Sequence, residues 1–188
     1  MEIYYLFSTP LLEFKPFTKD HLPALHGYLN LPELTGRRYL PRGFAEELPL
    51  SLEQVEGIQK KWAEKENGFA YAVIHQQSQD LIGHVEADWG WDALSPGISL
   101  VIAPAYQRGG YGSDALDLVL SYLYQNTVAH NVSGWMADWN TSARKFAAKH
   151  GFQEVGLEHY AGVRAGDTYG EVTVDILRPE WQARKGGI

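Results

Sequence analysis

One segment constrains this chain more than any other: Ile98-Ser-Leu-Val-Ile-Ala-Pro-Ala-Tyr-Gln-Arg-Gly-Gly-Tyr-Gly-Ser-Asp-Ala-Leu116. Its first five residues are apolar apart from Ser99, the pattern of a short strand buried on both faces of a sheet. The strand enters a turn, Gln107 to Gly112, and the chain passes straight into a predicted helix over 112–125. That helix would bury Ala115, Leu116, Val119, Leu120 and Leu123. Glycines in the turn let the backbone curl until several N–H groups converge. The first N–H groups of the helix lack internal partners and carry the positive end of its dipole. The segment therefore reads as an anion site suited to a phosphate or pyrophosphate.

Two spacings coexist in that turn. Gly110-x-Gly112-x-x-Ala115 satisfies the dinucleotide fingerprint, which would make the chain a nicotinamide-dependent oxidoreductase. Gln107-x-x-Gly110-x-Gly112 satisfies a different pattern. Chain position favours the second, because a dinucleotide fold needs a mononucleotide-binding half on each side of the turn and too little chain follows Gly112. No Gly-Lys-Ser/Thr follows, which excludes a P-loop.

Around this segment, strands and helices alternate. A strand is predicted over Leu11–Phe17. Asp20 would cap a helix running to Leu29, with Leu22, Leu25, His26 and Leu29 on one face and Pro23 in the first turn. Gly36–Leu50 reads as a long loop. Ser51 and Gln54 form a capping-box pair opening a helix to about Glu66, with Leu52, Val55, Ile58 and Trp62 buried. Phe69–Ile74 and Leu81–Trp89 read as a hairpin and Ser133–Asp138 as a strand. Asn140 would cap a helix ending at Gly151. Glu154–Tyr160 and Tyr169–Leu177 form a strand pair about the turn Ala165-Gly-Asp, and the tail Ala183–Ile188 is expected to fray. The order implies a single-domain α/β fold over residues 1–188, with a mixed, mostly antiparallel sheet covered by helices on both faces. One parallel step falls around 98–138.

Composition removes whole classes of function. The chain of 188 residues has no cysteine, so disulfides, thiolate catalysis and cysteine-ligated metal are excluded. A net charge of −7 argues against a nucleic-acid partner and is compatible with a cationic one. No apolar run is long enough to span a membrane. The first ten residues lack the basic start of a signal peptide, which makes a cytoplasmic location the expectation.

Four blocks, taken in order, resemble one family. Ala103-Pro-Ala-Tyr-Gln-Arg-Gly-Gly-Tyr-Gly112 is similar to the D-P-x-Y-Q-G-x-G motif of the GCN5-related N-acetyltransferases, in the branch holding ribosomal-protein and spermidine acetyltransferases. Asn140-Thr-Ser-Ala-Arg-Lys-Phe-Ala-Ala-Lys-His-Gly-Phe152 resembles the later N-x-x-S…E-K-x-G-F block. The opening Leu12-Glu-Phe-Lys-Pro-Phe with Asp20-His-Leu-Pro-Ala-Leu, and the closing Asp175-Ile-Leu-Arg-Pro-Glu-Trp181, are also similar.

The resemblance implies an acyl-CoA N-acyltransferase fold with a splayed central pair of parallel strands. It implies acetyl-CoA as acyl donor, no metal, and direct attack by a primary amine in a ternary complex. The cofactor turn would comprise Gln107, Arg108, Gly109, Gly110, Tyr111, Gly112 and Ser113, with the pyrophosphate on Arg108 to Ser113. The pantetheine arm would pair with Leu100, Val101 and Ile102 and bond to Asn140. The acceptor would be a protein N-terminus, a polyamine or another small amine, and a homodimer is left open. Three positions depart from the pattern. Gly97 stands where an acid is common, Ala147 where some relatives carry a tyrosine, and Ala143 where others carry a serine, with Ser142 adjacent. These departures keep open a CoA-binding regulatory domain without catalysis.

His84, Glu86 and Asp88 alternate along one predicted strand and so share a face, opposite Leu81, Gly83, Val85 and Ala87. That polar stripe is expected to border a wet cleft beside the cofactor. Glu86 is the first candidate for general base, with Asp138 and Glu171 as fallbacks, and Tyr106 or Tyr169 would protonate the leaving thiolate. Trp89, Trp91, Trp135 and Trp139 are expected mainly in the core, some of them walling the acceptor site with Tyr39 and Phe44. Arg37, Arg38 and Arg42 read as a solvated part of the long loop.

Overall fold

The computed structural model of the chain describes residues 7–34 and 49–186. Most of the expected loop, including Arg37, Arg38, Tyr39, Arg42 and Phe44, lies outside the described residues. The strands are β1 (Leu12–Lys15), β2 (Gly68–His75), β3 (Leu81–Asp88), β4 (Gly97–Ile102), β5 (Asn131–Ala137), β6 (Gln153–Arg164) and β7 (Asp167–Leu177). The helices are α1 (Leu22–Leu29), α2 (Leu52–Ala63), α3 (Tyr111–Asn126), α4 (Thr141–Lys149) and α5 (Arg178–Gly186). All seven strands form one sheet in the order β1-β2-β3-β4-β5-β7-β6. Every neighbouring pair is antiparallel except β4 and β5. The strands before β4 are thus antiparallel, and the nucleotide-binding half that the dinucleotide fingerprint requires is not formed.

Local chemistry explains most boundaries. The capping box at α2 forms as expected: Ser51 Oγ accepts from Gln54 N at 3.2 Å, and Ser51 N donates to Gln54 Oε1 at 2.8 Å. Val55, Ile58 and Trp62 are buried, but Leu52, in the first turn, is half exposed. Asp20 does not cap α1. Thr18 opens a short 3-10 turn, Lys19–His21, and α1 begins only at Leu22, with Pro23 in its first turn. Tyr28, rather than His26, joins Leu25 and Leu29 on the buried face.

The last helix is the largest surprise, because α5 continues to Gly186 where fraying was expected. Glu180 closes its start, accepting from Leu177 N at 2.8 Å, and Trp181 is buried. Arg178 explains why this polar tail docks. Its guanidinium donates to the carbonyls of Tyr124, Thr127 and Ala129, so it closes the C-terminal end of α3. A cation there also meets the negative end of the helix dipole. Arg178→Met should keep the stem and lose about 2–3 kcal/mol of stability, since several carbonyls lose a charged donor at once. Urea unfolding would measure it, and a loss under 0.5 kcal/mol, the ordinary range for a surface change, would contradict the assignment.

The sheet is covered on both faces. One face buries Val85, Ala87, Ile102, Val172, Val174 and Ile176 against α3, α4 and α5. The other buries Ala72, Ile74 and Val101 against α1 and α2. The stripe His84–Glu86–Asp88 belongs to this second face, and here the expected wet cleft fails for His84. It is fully buried under α1 and α2, with Nδ1 at 2.7 Å from the Tyr28 hydroxyl and the Trp62 ring 4.8 Å away. Burial drives its pKa down to about 3, so it stays neutral. Trp91 is 97 % exposed and is not a core residue, whereas Trp89 packs at the core edge.

Candidate active site

The only parallel pair in the sheet is also its weakest seam. β4 and β5 share a single register pair, Gly97↔Ser133, supported by Ser133 N donating to Pro96 O at 3.0 Å. Beyond it the two strands part. The antiparallel neighbours decide which backbone groups face the gap. Ala103 N donates to Ile82 O, so by alternation Val101 and Ser99 turn their N–H and C=O toward β3, and Leu100 and Ile102 turn theirs toward the gap. This corrects the expectation for Val101: its backbone is used in the β3 ladder and its side chain is buried on the α1/α2 face. The Ile102 carbonyl is also taken, by the Gln107 side-chain amide at 2.8 Å. Leu100 is left as the strand residue presenting both backbone groups to the gap.

The parting strands leave a slot of about 190 Å³ that passes through the sheet. Ile98, Leu100, Leu116, Met136, Phe146 and Val174 give it an apolar wall on the α3/α4 side. Ser99, Trp135, Tyr169 and Glu171 give it a polar and aromatic wall on the α1/α2 side. The slot is smaller than the ~300–1,000 Å³ of compact ligand pockets, which suits an extended chain. It also explains why β4, expected to be buried on both faces, is buried only at Val101 and Ile102: its first four residues border the slot.

The glycine turn adjoins the slot through Gly112, where a Cβ would lie 3.6 Å from Phe146 of the slot's apolar wall. Arg108 and Gly110 both have positive φ, 66° and 88°, which curls the backbone into a concavity. Gly110 is the N-cap of α3 and offers no side chain. The first intrahelical bond is made by Asp114 N to Gly110 O, so the N–H groups of Tyr111, Gly112 and Ser113 have no helical acceptor. The turn is braced from two sides. Tyr111 Oη lies 3.1 Å from His75 Nε2, and Ser113 Oγ lies 3.0 Å from His150 Nε2. A curled turn, an uncapped helix and an open strand backbone together fit a diphosphate with an extended arm.

The remaining sequence candidates separate clearly. Asn140 lines the slot while its Oδ1 accepts from Ala143 N at 3.3 Å, so it both caps α4 and borders the gap. Tyr106 does not line the slot; its hydroxyl donates to Asp80 at 2.9 Å, behind the glycine turn. Asp138 Oδ2 accepts from Gly170 N at 2.8 Å and tethers β5 to β7. Tyr169 borders the slot, but its ring lies across Gly162, where a Cβ would sit 2.5 Å from the hydroxyl oxygen. That directs the hydroxyl over β6. Glu171 lines the slot from β7, opposite Ala137.

Glu86 does not line the slot. Its side chain is 12 % exposed and meets Lys65 Nζ at 3.0 Å; the same ammonium reaches Asp88 at 3.2 Å. Burial raises the Glu86 pKa, opposed by Lys65. Ala143 and Ala147, two of the positions at which the sequence departs from the resembled motif, both line the slot. Gly97 has a physical reason. A Cβ there would lie 2.8 Å from Trp135, whose indole occupies the space above the start of β4. Sequence reasoning missed Trp135 as the residue that displaces the acid, and the pairing of an absent side chain at 97 with a large one at 135 becomes visible only once their register is known.

A family model described as an acetyltransferase (GNAT) domain matches residues 12–153. An acetyltransferase of the GNAT family from Bacillus anthracis superposes with a TM-score of 0.77 at 20% identity, over 93% of this chain and 99% of that one. A spermidine N-acetyltransferase from Vibrio cholerae, solved in complex with CoA and spermine, gives 0.76 at 20% identity, over 91% and 98%. A GCN5-related N-acetyltransferase from Brucella melitensis gives 0.79 at 18% identity, over 96% and 81%.

Proposed function

The chain belongs to the GNAT acetyltransferase family, and from that premise we propose that it moves the acetyl group of acetyl-CoA to a primary amine by direct attack in a ternary complex. The observation that carries this reading is the slot itself. Its apolar side is walled by Leu116 of α3, the helix that the glycine turn opens, and its other side is polar, so donor and acceptor can approach one point from opposite faces of the sheet. The pyrophosphate would rest on the backbone of Arg108 to Ser113, and the arm would extend the sheet along Leu100. The Leu100 N–H would then polarise the thioester carbonyl and hold the charge that develops on its oxygen. Positioning supplies much of the remaining rate, because two reactants held in register react as one.

The acceptor enters from the α1/α2 side, past Trp135 and Glu171. A net charge of −7 and the likeness to a spermidine acetyltransferase support a cationic amine such as a polyamine. A protein N-terminus or another small amine fits the same polar wall. We read residues 1–188 as one catalytic domain acting in the cytoplasm.

The test uses the full chain, acetyl-CoA and a panel of primary amines: spermidine, an aminoglycoside and peptides with free N-termini. Because the protein has no cysteine, a thiol reagent reports only released CoA. Acetylated amine seen by mass spectrometry, in step with thiol release, is the expected result. Acetyl-CoA binding without turnover on any member would instead favour a CoA-binding domain that has lost catalysis, consistent with Ala143 and Ala147.

A further inference from the structure

Among the described residues, Ser99 is the hydroxyl next to the strand position that would hold the thioester. It precedes Leu100 on β4 and borders the slot, and its hydroxyl makes no hydrogen bond there. Directly across the β3–β4 ladder stands Glu86, and ladder partners place their side chains on the same face. Glu86 does not line the slot, whereas Ser99 both lines it and is the ladder partner of Glu86, so Ser99 stands between the slot and this carboxylate. Glu171 also borders the slot, but from β7, one strand beyond β5 and level with Ala137, across the gap from Leu100.

The charges around Glu86 suit a group that gains and loses a proton. Lys65 is shared between Glu86 and Asp88, at 3.0 and 3.2 Å. When Glu86 becomes neutral, the ammonium keeps Asp88 as partner and is not left buried and uncompensated. On the same face, Tyr28 from α1 and His84 on β3 hold each other in a neutral pair, and burial raises the Tyr28 pKa well above its usual value. Neither competes for the proton near neutrality.

We propose that Ser99 is the proton relay of the transfer, passing the proton of the attacking amine to Glu86, directly or through one water. The assignment rests on the N-acetyltransferase reading. As the neutral amine's lone pair forms the C–N bond, a proton leaves nitrogen for Ser99 Oγ, and the serine's own proton moves to the Glu86 carboxylate. Breaking of the C–S bond leaves the electron pair on sulfur. The proton held by Glu86 returns through the same hydroxyl to that thiolate, giving the CoA thiol, the amide and the starting protein.

The test is a double-mutant cycle on whichever amine the wild type acetylates. Ser99→Ala and Glu86→Gln should each lower kcat by about 10²–10⁴-fold, the usual span for general acid–base help, with acetyl-CoA affinity unchanged by calorimetry. The double variant should be no slower than the worse single one, because both remove one pathway. Ser99→Thr, which keeps the hydroxyl, should recover most of the rate. The acidic limb of the kcat profile, set by Glu86 with Lys65 and Asp88 beside it, should vanish in Ser99→Ala. A wild-type rate in Ser99→Ala, losses that multiply in the double variant, or a Ser99→Thr as slow as Ser99→Ala would each overturn the relay. A wild type that acetylates no amine would overturn the N-acetyltransferase reading and the relay with it, and it is recognised before any variant is made.

Discussion

Gly110→Asp is expected to lose on the order of 10²-fold in acetyl-CoA affinity, while Gly110→Asn keeps most of it. Both variants place a Cβ in open space, because no atom lies within 4 Å of the position. Both also share the strain of an L-residue at φ 88°, which asparagine and aspartate tolerate better than most. They differ in one negative charge at the mouth of the anion site. At about 5 Å and an effective dielectric of ~20, one unit charge opposes another by about 3 kcal/mol, roughly a 10²-fold change. The comparison removes sterics from the argument and leaves electrostatics. The helix itself gains from an acid at its N-terminus, so Gly110→Asp should melt no lower than Gly110→Asn while binding the donor far more weakly. Calorimetric titration with acetyl-CoA, alongside thermal melts, reads both quantities. Equal affinities in the two variants would remove the pyrophosphate from the Arg108–Ser113 turn.

Where a rule acts locally, the sequence was enough. The Ser51–Gln54 capping box, the buried stripe of α3 and the turn at Ala165-Gly166 are each set by residues a few positions apart, and each forms as expected. The glycine turn was legible for the same reason: positive φ and missing side chains are local needs. The tail failed because α5 is held by Arg178 reaching the end of α3, a contact across about fifty residues of chain that no window of sequence contains. His84 failed differently. Its alternation with Glu86 and Asp88 correctly put the three on one face, but alternation does not say whether that face meets water or a helix. The covering helices α1 and α2 arrive from elsewhere in the chain. Val101 shows the finest limit. Strand identity was right, yet which backbone groups face the gap depends on the phase of hydrogen bonding with β3, and that phase is a tertiary fact.

The burial of His84 has a consequence for the whole fold, expected as a loss of stability on mild acidification. Above about pH 6.5 the imidazole is neutral both in the folded protein and in the unfolded chain, and it contributes no pH dependence. As the pH falls, the unfolded chain takes up a proton, whereas the folded protein, with His84 held at about 3, does not. The unfolded state then binds more protons, and stability drops by about 1.4 kcal/mol per pH unit between roughly pH 6.5 and 3. From pH 6.5 to 5 this amounts to about 2 kcal/mol, or about 4–8 °C in Tm for a chain of this size. His21 and His150, both lowered by partial burial, act in the same direction, while Glu86, raised by burial, acts against it. His84→Gln separates these contributions. Glutamine can still bond the Tyr28 hydroxyl but has nothing to titrate, so urea unfolding at pH 7 and pH 5 should show a shallower loss than the wild type by about 2 kcal/mol. If the two proteins lose equal stability over that range, the folded state admits the proton, and His84 is hydrated rather than sealed beneath α1 and α2.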